Sequence, residues 1–257
     1  MSSRIGAILL TLLLLAAPAA AQQAPGGEGP GQVLRNLPDL SDRGTMSSVV
    51  KWLVVVTVVS VAPAIAVLVT SFTRIIVVLG LLRQGLGTQQ LPPNSVLFGL
   101  GLLMTLVVMA PVLNDIHRDA VAPYMAGKAA QTEAVAAGET HVRAFMIRQI
   151  TAARNQNDVD LFLDDALAQR KDLTWRDVPT GSLIPAFAVS ELKVAFLIGF
   201  RILLPFLIID MLVASILTSM GMLMLPPVLV SLPFKLLLFV LADGWNLVVG
   251  TLISSFG

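Results

Sequence analysis

The sequence predicts an all-α membrane protein made of two helical hairpins with Pro-Pro turns plus a small helical periplasmic insertion. Three observations predict it. The 257 residues are 56% hydrophobic and only 13% charged, against roughly 45–50% and about 25% in an ordinary soluble domain. Four apolar stretches, at residues 49–82, 95–113, 183–218 and 228–256, are each long enough to cross a hydrocarbon core of about 30 Å. Two tripeptides, Leu91-Pro92-Pro93 and Leu225-Pro226-Pro227, each mark the turn inside a pair of these stretches.

The N-terminus reads as a signal peptide over residues 1–21. Arg4 gives it a positive start, residues 5–17 are apolar, Pro18 ends the run, and Ala19-Ala20-Ala21 supplies the small residues needed for cleavage before Gln22. The apolar run is short for a span; a retained membrane anchor is the other reading. Residues 22–48 form a flexible N-terminal segment, rich at first in Gly, Pro and Gln.

Residues 49–113 form the first hydrophobic hairpin and residues 185–257 the second. Lipid offers backbone groups no partner, so the apolar stretches must be helical. Proline has no donor and disfavours helix in the residue before it, so each doublet stops one helix and starts the next. The shared layout suggests an old duplication. With the signal peptide cleaved, both turns face the cytoplasm and residues 114–184 face the periplasm. Arg74 and Arg83, near the first turn, agree with the positive-inside rule.

The polar region 114–184 contains two helical patterns. Val142, Phe145, Met146 and Ile150 follow Thr140, a candidate cap. Val159, Phe162, Leu163, Ala166 and Leu167 follow Asp158, another candidate cap, with Asn155-Gln156-Asn157 between the two. A small hairpin results, with its charges on solvated faces.

Charges inside apolar helices are costly and must pair, face a cavity or act. Asp210 and Lys235 are placed almost symmetrically about the second turn, so an antiparallel hairpin brings them to equal depth. Arg201 and Asp243 are nearly symmetric as well. Nine residues separate Arg201 from Asp210, which puts them on opposite helix faces, so the two pairs do not share one seam. Glu191 and Lys193 begin the third stretch as surface or interface charges, and Arg74 either snorkels or bonds nearby carbonyls. Met220, Met222 and Met224 alternate in the second turn, bounded by Gly221 and the prolines. Pliable methionines from several copies would close a pore and part for a polypeptide, or they are apolar filler.

Composition removes other classes. A net charge of +1 without a basic run leaves nothing for nucleic acid. With no cysteine and only His117 and His141, no metal site, cofactor or catalytic set is expected, and no Gly-x-Ser-x-Gly elbow occurs. A small-solute or ion transporter relaying charge through Asp210, Lys235 and Glu191 is the alternative.

Several long motifs resemble the FliP/SctR family of type III secretion export gates. They are Ser71-Phe72-Thr73-Arg74-Ile75-Ile76-Val77-Val78, the run from Leu82 to Asn94, Leu183-Ile184-Pro185-Ala186-Phe187 with Ser190-Glu191-Leu192-Lys193, and the run from Met220 through Lys235 to Asp243-Gly244-Trp245-Asn246. The resemblance covers about residues 49–256, and the signal peptide favours the flagellar branch. It implies five copies assembled with FliQ and FliR, and with other export apparatus components, in the bacterial inner membrane at the flagellar basal body. The assembly would pass unfolded flagellar proteins. It implies a pore gasket at Met220, Met222 and Met224, where Leu223 replaces the methionine of many relatives. It also implies a buried charged pair at Asp210 and Lys235 and an acidic position at Glu191. Arg201 falls where the family has an uncharged residue, which puts its pairing with Asp243 in doubt. In such assemblies, apolar helices are held partly against other subunits, above the bilayer plane.

Overall fold

A computed structural model describes residues 43–88, 91–164, 167, 170, 173–222 and 224–257. The signal-peptide reading, and residues 22–42 of the segment expected to be flexible, lie outside these residues. Residues 43–48 are already helical. Among the described residues there is no strand, and the chain is an all-α membrane protein.

Helix α1 spans Arg43–Val69. The chain divides into two compact units, Met1–Ile65 and Ala66–Gly257. In the first, Trp52, Val56, Val59 and Ile65 are all exposed, whereas a helix apolar all round is ordinarily covered by protein or lipid.

In the second unit, α1 ends at Val69 and helix α2 runs Phe72–Leu86. The expected single helix over 49–82 is therefore broken at Thr70-Ser71. The break is stabilised locally, because the hydroxyls of Thr70 and Thr73 both donate to the Val67 carbonyl, at 3.4 and 3.2 Å. Gly87, in the left-handed conformation at φ 73°, ends α2. Arg83 closes the Pro-Pro turn: its Nη1 donates to the Asn94 side-chain oxygen at 2.5 Å and to the Pro92 carbonyl at 3.4 Å. Helix α3, Asn94–Ile116, continues through a π-helical turn at His117–Val121 into the short helix α4, Ala122–Met125.

Helix α5 spans Gln131–Ala152. It starts well before Thr140, whose hydroxyl bonds back to the Ala136 carbonyl at 2.9 Å instead of capping anything. The true start is Ala130, whose N–H donates to Glu133 at 3.0 Å. Of the second helix of the expected small hairpin, the described residues show one turn, α6 at Asn157–Asp160, and a helical Leu167, while Ala166 lies outside them. Asp158 is buried inside it rather than capping it. Phe162 and Leu163 reach the core from the irregular chain that follows.

Helix α7, Thr180–Ser219, is a single helix of 40 residues, about 60 Å at 1.5 Å per residue and twice the thickness of a hydrocarbon core. Helices α8, Pro227–Leu241, and α9, Gly244–Ser254, complete the chain with a 65° bend between them. The bend occurs at Asp243, a non-glycine residue at φ 49°. Among the described residues, two helices are long and apolar enough to span a membrane, or up to four if each bent pair counts as one. The two hairpins run in opposite order: broken then continuous in the first, continuous then broken in the second. A tandem copy would repeat one order, so this arrangement does not favour duplication.

Helix α2 lies against α3 and α7. Small residues set the spacing: a Cβ on Gly199 would lie 2.2 Å from Leu81 Cδ1, and one on Gly85 would lie 2.4 Å from Leu203 Cδ2. One apolar core, including Ile75, Leu79, Leu82, Ile198, Phe206 and Leu252, fills this seam. A second, including Met109, Phe145, Met146, Leu183 and Phe187, joins the polar region to α3 and α7.

Candidate functional site

One buried ion pair, one partly exposed pair and an exposed turn lie along α7. Arg74, in the first turn of α2, is 1% exposed and Glu191 is fully buried. The guanidinium grips the carboxylate with two bonds, Nε to Oε2 at 2.8 Å and Nη2 to Oε1 at 2.6 Å. This fork-to-fork geometry is the strongest form of the pair. The other donors are also used. Nη2 reaches the Gln149 side-chain oxygen at 3.1 Å, and Nη1 reaches the carbonyl and hydroxyl of Ser255 at 2.7 and 3.0 Å. Phe256 stacks 3.9 Å from the guanidinium carbon, and Gln149 Nε2 donates to the Phe256 carbonyl at 3.1 Å. One cation thus ties α2, α5, α7 and the end of the chain together. Arg74 does not snorkel. Its partner is 117 residues away, beyond any helical periodicity, and a buried basic residue and a buried acidic residue in separate apolar runs were the available signal.

The second pair lies further along α7. Lys235 Nζ donates to Asp210 Oδ2 at 2.6 Å and to the Gly85 carbonyl at 3.1 Å. Gly85 belongs to the last turn of α2, where carbonyls lack helical partners and a cation is favoured. Asp210 Oδ1 accepts from the Ser231 hydroxyl at 2.5 Å. The symmetric spacing about the turn matches this contact; Ser231, one turn before Lys235 on α8, was not singled out from the sequence.

The remaining charges behave differently. Arg201 is exposed, and among the described residues it forms no ion pair with Asp243. The Asp243 carboxylate accepts from Asn246 at 3.1 Å instead. Lys193 pairs with the buried Asp158, joining α7 to the polar region. That region is fixed further by Arg143, which donates to Thr180 at 2.5 Å and to the Val178 carbonyl at 2.8 Å. Beside it, the Thr174 hydroxyl and backbone N–H both donate to Asp177, at 2.6 and 3.0 Å. The hydroxyl first, then the N–H, hold its carboxyl below the usual carboxylate range.

The methionine turn closes α7. Met222 N–H donates to the Leu217 carbonyl and Gly221 N–H to the Thr218 carbonyl, both at 3.0 Å, with Gly221 at φ 75°. This is the paired bonding of a Schellman stop, which needs the left-handed glycine. Pro226 and Pro227 then start α8, where a missing N–H costs nothing. Between these fixed ends Met220, Met222 and Met224 are exposed, Met224 almost completely at 98%. No group of three or more His, Cys, Asp or Glu side chains able to hold a metal exists among the described residues.

A model of the FliP family matches residues 55–252. A flagellar biosynthetic protein FliP of Bacillus subtilis is 49% identical over 221 residues, covering 86% of this chain and 98% of the relative. Its namesake in Pectobacterium carotovorum is 46% identical over 88% of this chain and 85% of its own. That of Aquifex aeolicus is 42% identical over 83% and 88%.

Proposed function

The chain belongs to the FliP family, and from that premise we propose that it is a pore-forming subunit of the flagellar type III protein export gate. In this reading, about five copies assemble with FliQ and FliR and the rest of the export apparatus. The complex stands at the basal body in the bacterial inner membrane and passes unfolded flagellar proteins. Residues 114–184 face the periplasm. The reading assigns the chain no catalytic step and no cofactor. The relatives carry flagellar biosynthetic names, and the solute-transporter alternative is set aside.

The observation that carries the reading is the methionine turn. Three flexible, apolar, unpartnered side chains project from a backbone fixed at both ends, with the Asp210–Lys235 pair as an anchor behind it. A ring of such turns closes against ions without a polar group that needs a partner. The long stem of methionine lets it repack around a moving chain.

Conductance of the purified, assembled gate in a planar bilayer tests this. Replacing Met220, Met222 and Met224 with Ala leaves assembly intact and raises the ion leak. Replacing them with the stiffer Val slows export. Equal tightness of the triple-Ala and unmodified gates, at normal assembly, places the seal elsewhere.

A further inference from the structure

The charges of the second hairpin do not all pair within the chain. Between Lys193 and Ser219 the charged residues are Arg201 and Asp210, and after Lys235 the only one is Asp243. Asp210 and Lys235 satisfy each other at 2.6 Å. Glu191, the other carboxylate of residues 185–257, is taken by Arg74, and residues 43–113 contain no Asp or Glu. One cation and one anion are left over. Arg201 and Asp243 are both exposed, and among the described residues neither meets an opposite charge.

Their heights along the hairpin match. The Asp210–Lys235 contact fixes the register of α7 against α8. From it Arg201 lies nine residues back along α7, about 14 Å, and Asp243 eight residues on, about 12 Å. Their directions do not match. Nine residues at about 100° each place Arg201 on the side of α7 opposite Asp210, facing away from α8. That orientation keeps it from Asp243 of its own chain.

Each charge also sits in an apolar surface that the chain leaves uncovered. On the stripe of α7 around Arg201, Leu197, Leu204, Ile208 and Leu212 are exposed. Beside Asp243, Val240, Leu241 and Leu247 are exposed too. Covering either surface strands a charge unless the covering partner brings the opposite one. Copies in a ring are related by rotation about one axis, and each contact is head-to-tail, so two different surfaces meet. With the hairpins along that axis the rotation preserves height, and the leftover cation of one copy reaches the level of the leftover anion of the next. We propose that these two surfaces join adjacent copies of this chain, with Arg201 of one copy paired to the Asp243 carboxylate of the next. The inference rests on the reading that copies assemble, and it names the surfaces and the charge pair that hold them.

The test uses the full chain, co-produced with FliQ and FliR and purified in mild detergent, with native mass spectrometry counting copies along a dilution series. Arg201→Gln and Asp243→Asn each release copies at about ten-fold higher protein concentration, the low end for close charge pairs across an interface. The double variant is no worse than either alone. Asn suits position 243 because it tolerates the left-handed backbone there. For placement, Leu204→Cys and Ala242→Cys, in a chain without native cysteine, leave both charges in place. Made in the same cells, the two variants are joined by a short bis-maleimide into a mixed dimer that neither gives alone. Additive losses in the double variant, no loss in either single, or no mixed dimer overturns the pair. Attachment of either cysteine to a polypeptide of another size gives that surface to a different subunit and also overturns it. Unmodified protein that stays monomeric removes the assembly reading, and the pair with it, so the two failures are told apart.

Discussion

Arg74 shows why a buried charge is vulnerable from one side only. Truncating it to Ala leaves Glu191 desolvated without a partner, and breaking such a pair typically costs about 3–5 kcal/mol. Arg74→Ala is therefore expected to lower the melting temperature in detergent sharply. Arg74→Lys is expected to rescue little, because an ammonium cannot make the two-bond grip or reach Ser255 and Gln149 together. The same melt applied to Lys235→Ala reads the second pair, and Asp210→Lys with Lys235→Asp is expected to recover part of the loss of either reversal alone. Asp177 gives a pH signature outside the membrane segments. Its folded pKa is depressed below the ordinary aspartate value, so its contribution is complete above that ordinary value and is lost as pH falls through the lower folded pKa. Asp177→Asn should accordingly reduce stability near neutral pH, and the difference from the unmodified protein should vanish in acid; a difference that persists in strong acid refutes the linkage. Of these residues, Asp210 and Lys235 were legible because a turn relates them arithmetically. Arg74 and Glu191 were each visible as an anomaly, but their contact depends on packing between hairpins, which no local spacing encodes.

At the scale of elements, proline was a reliable marker only in pairs. Pro63, Pro111, Pro185, Pro205 and Pro233 all lie inside helices, whereas the break at Thr70-Ser71 contains neither proline nor glycine. In an apolar segment a freed carbonyl is satisfied by hydroxyls or neighbouring helices, so one proline does not end the helix. The break at Asp243 was hidden for a related reason, since only its left-handed φ marks it. The doublets precede the next helix in both hairpins, but left-handed glycines, Gly87 and Gly221, stop the helix before each, so the expectation that a doublet does both is corrected. Glycine spacing yields a contrast between two sites. Gly199→Ala drives a Cβ against Leu81, and overpacking of this kind costs about 1–3 kcal/mol. Gly80→Ala meets open space and removes the helix penalty of glycine, a gain of up to about 1 kcal/mol. Melting temperatures of the two variants should move in opposite directions, and Leu81→Ala should restore the first. Parallel shifts would mean that α2 and α7 are not as closely seated as described.

For the whole molecule, the absence of cysteine makes topology directly measurable. Single cysteines at Ser95, Met222 and Lys128 report on the two turns and the polar region. An impermeant thiol reagent added from one side should label the first two together and the third only from the other side; labelling of Ser95 and Met222 from opposite faces would overturn the paired-hairpin arrangement. The length of α7 has a mechanical meaning as well. Helix α7 is seated in the core as far as Phe206, 14 positions before Met220, about 21 Å along the helix axis. Held there alone, the rest of the rod is a lever, and a tilt of about 5° moves the methionine end by about 2 Å. Asp210, held by Lys235, moves the fulcrum to ten positions from that end. The free arm shrinks to about 15 Å and the same tilt moves the tip by only about 1 Å. Releasing one ammonium from one carboxylate would thus lengthen the free arm of the turn by about two-fifths, with no change in the helix itself.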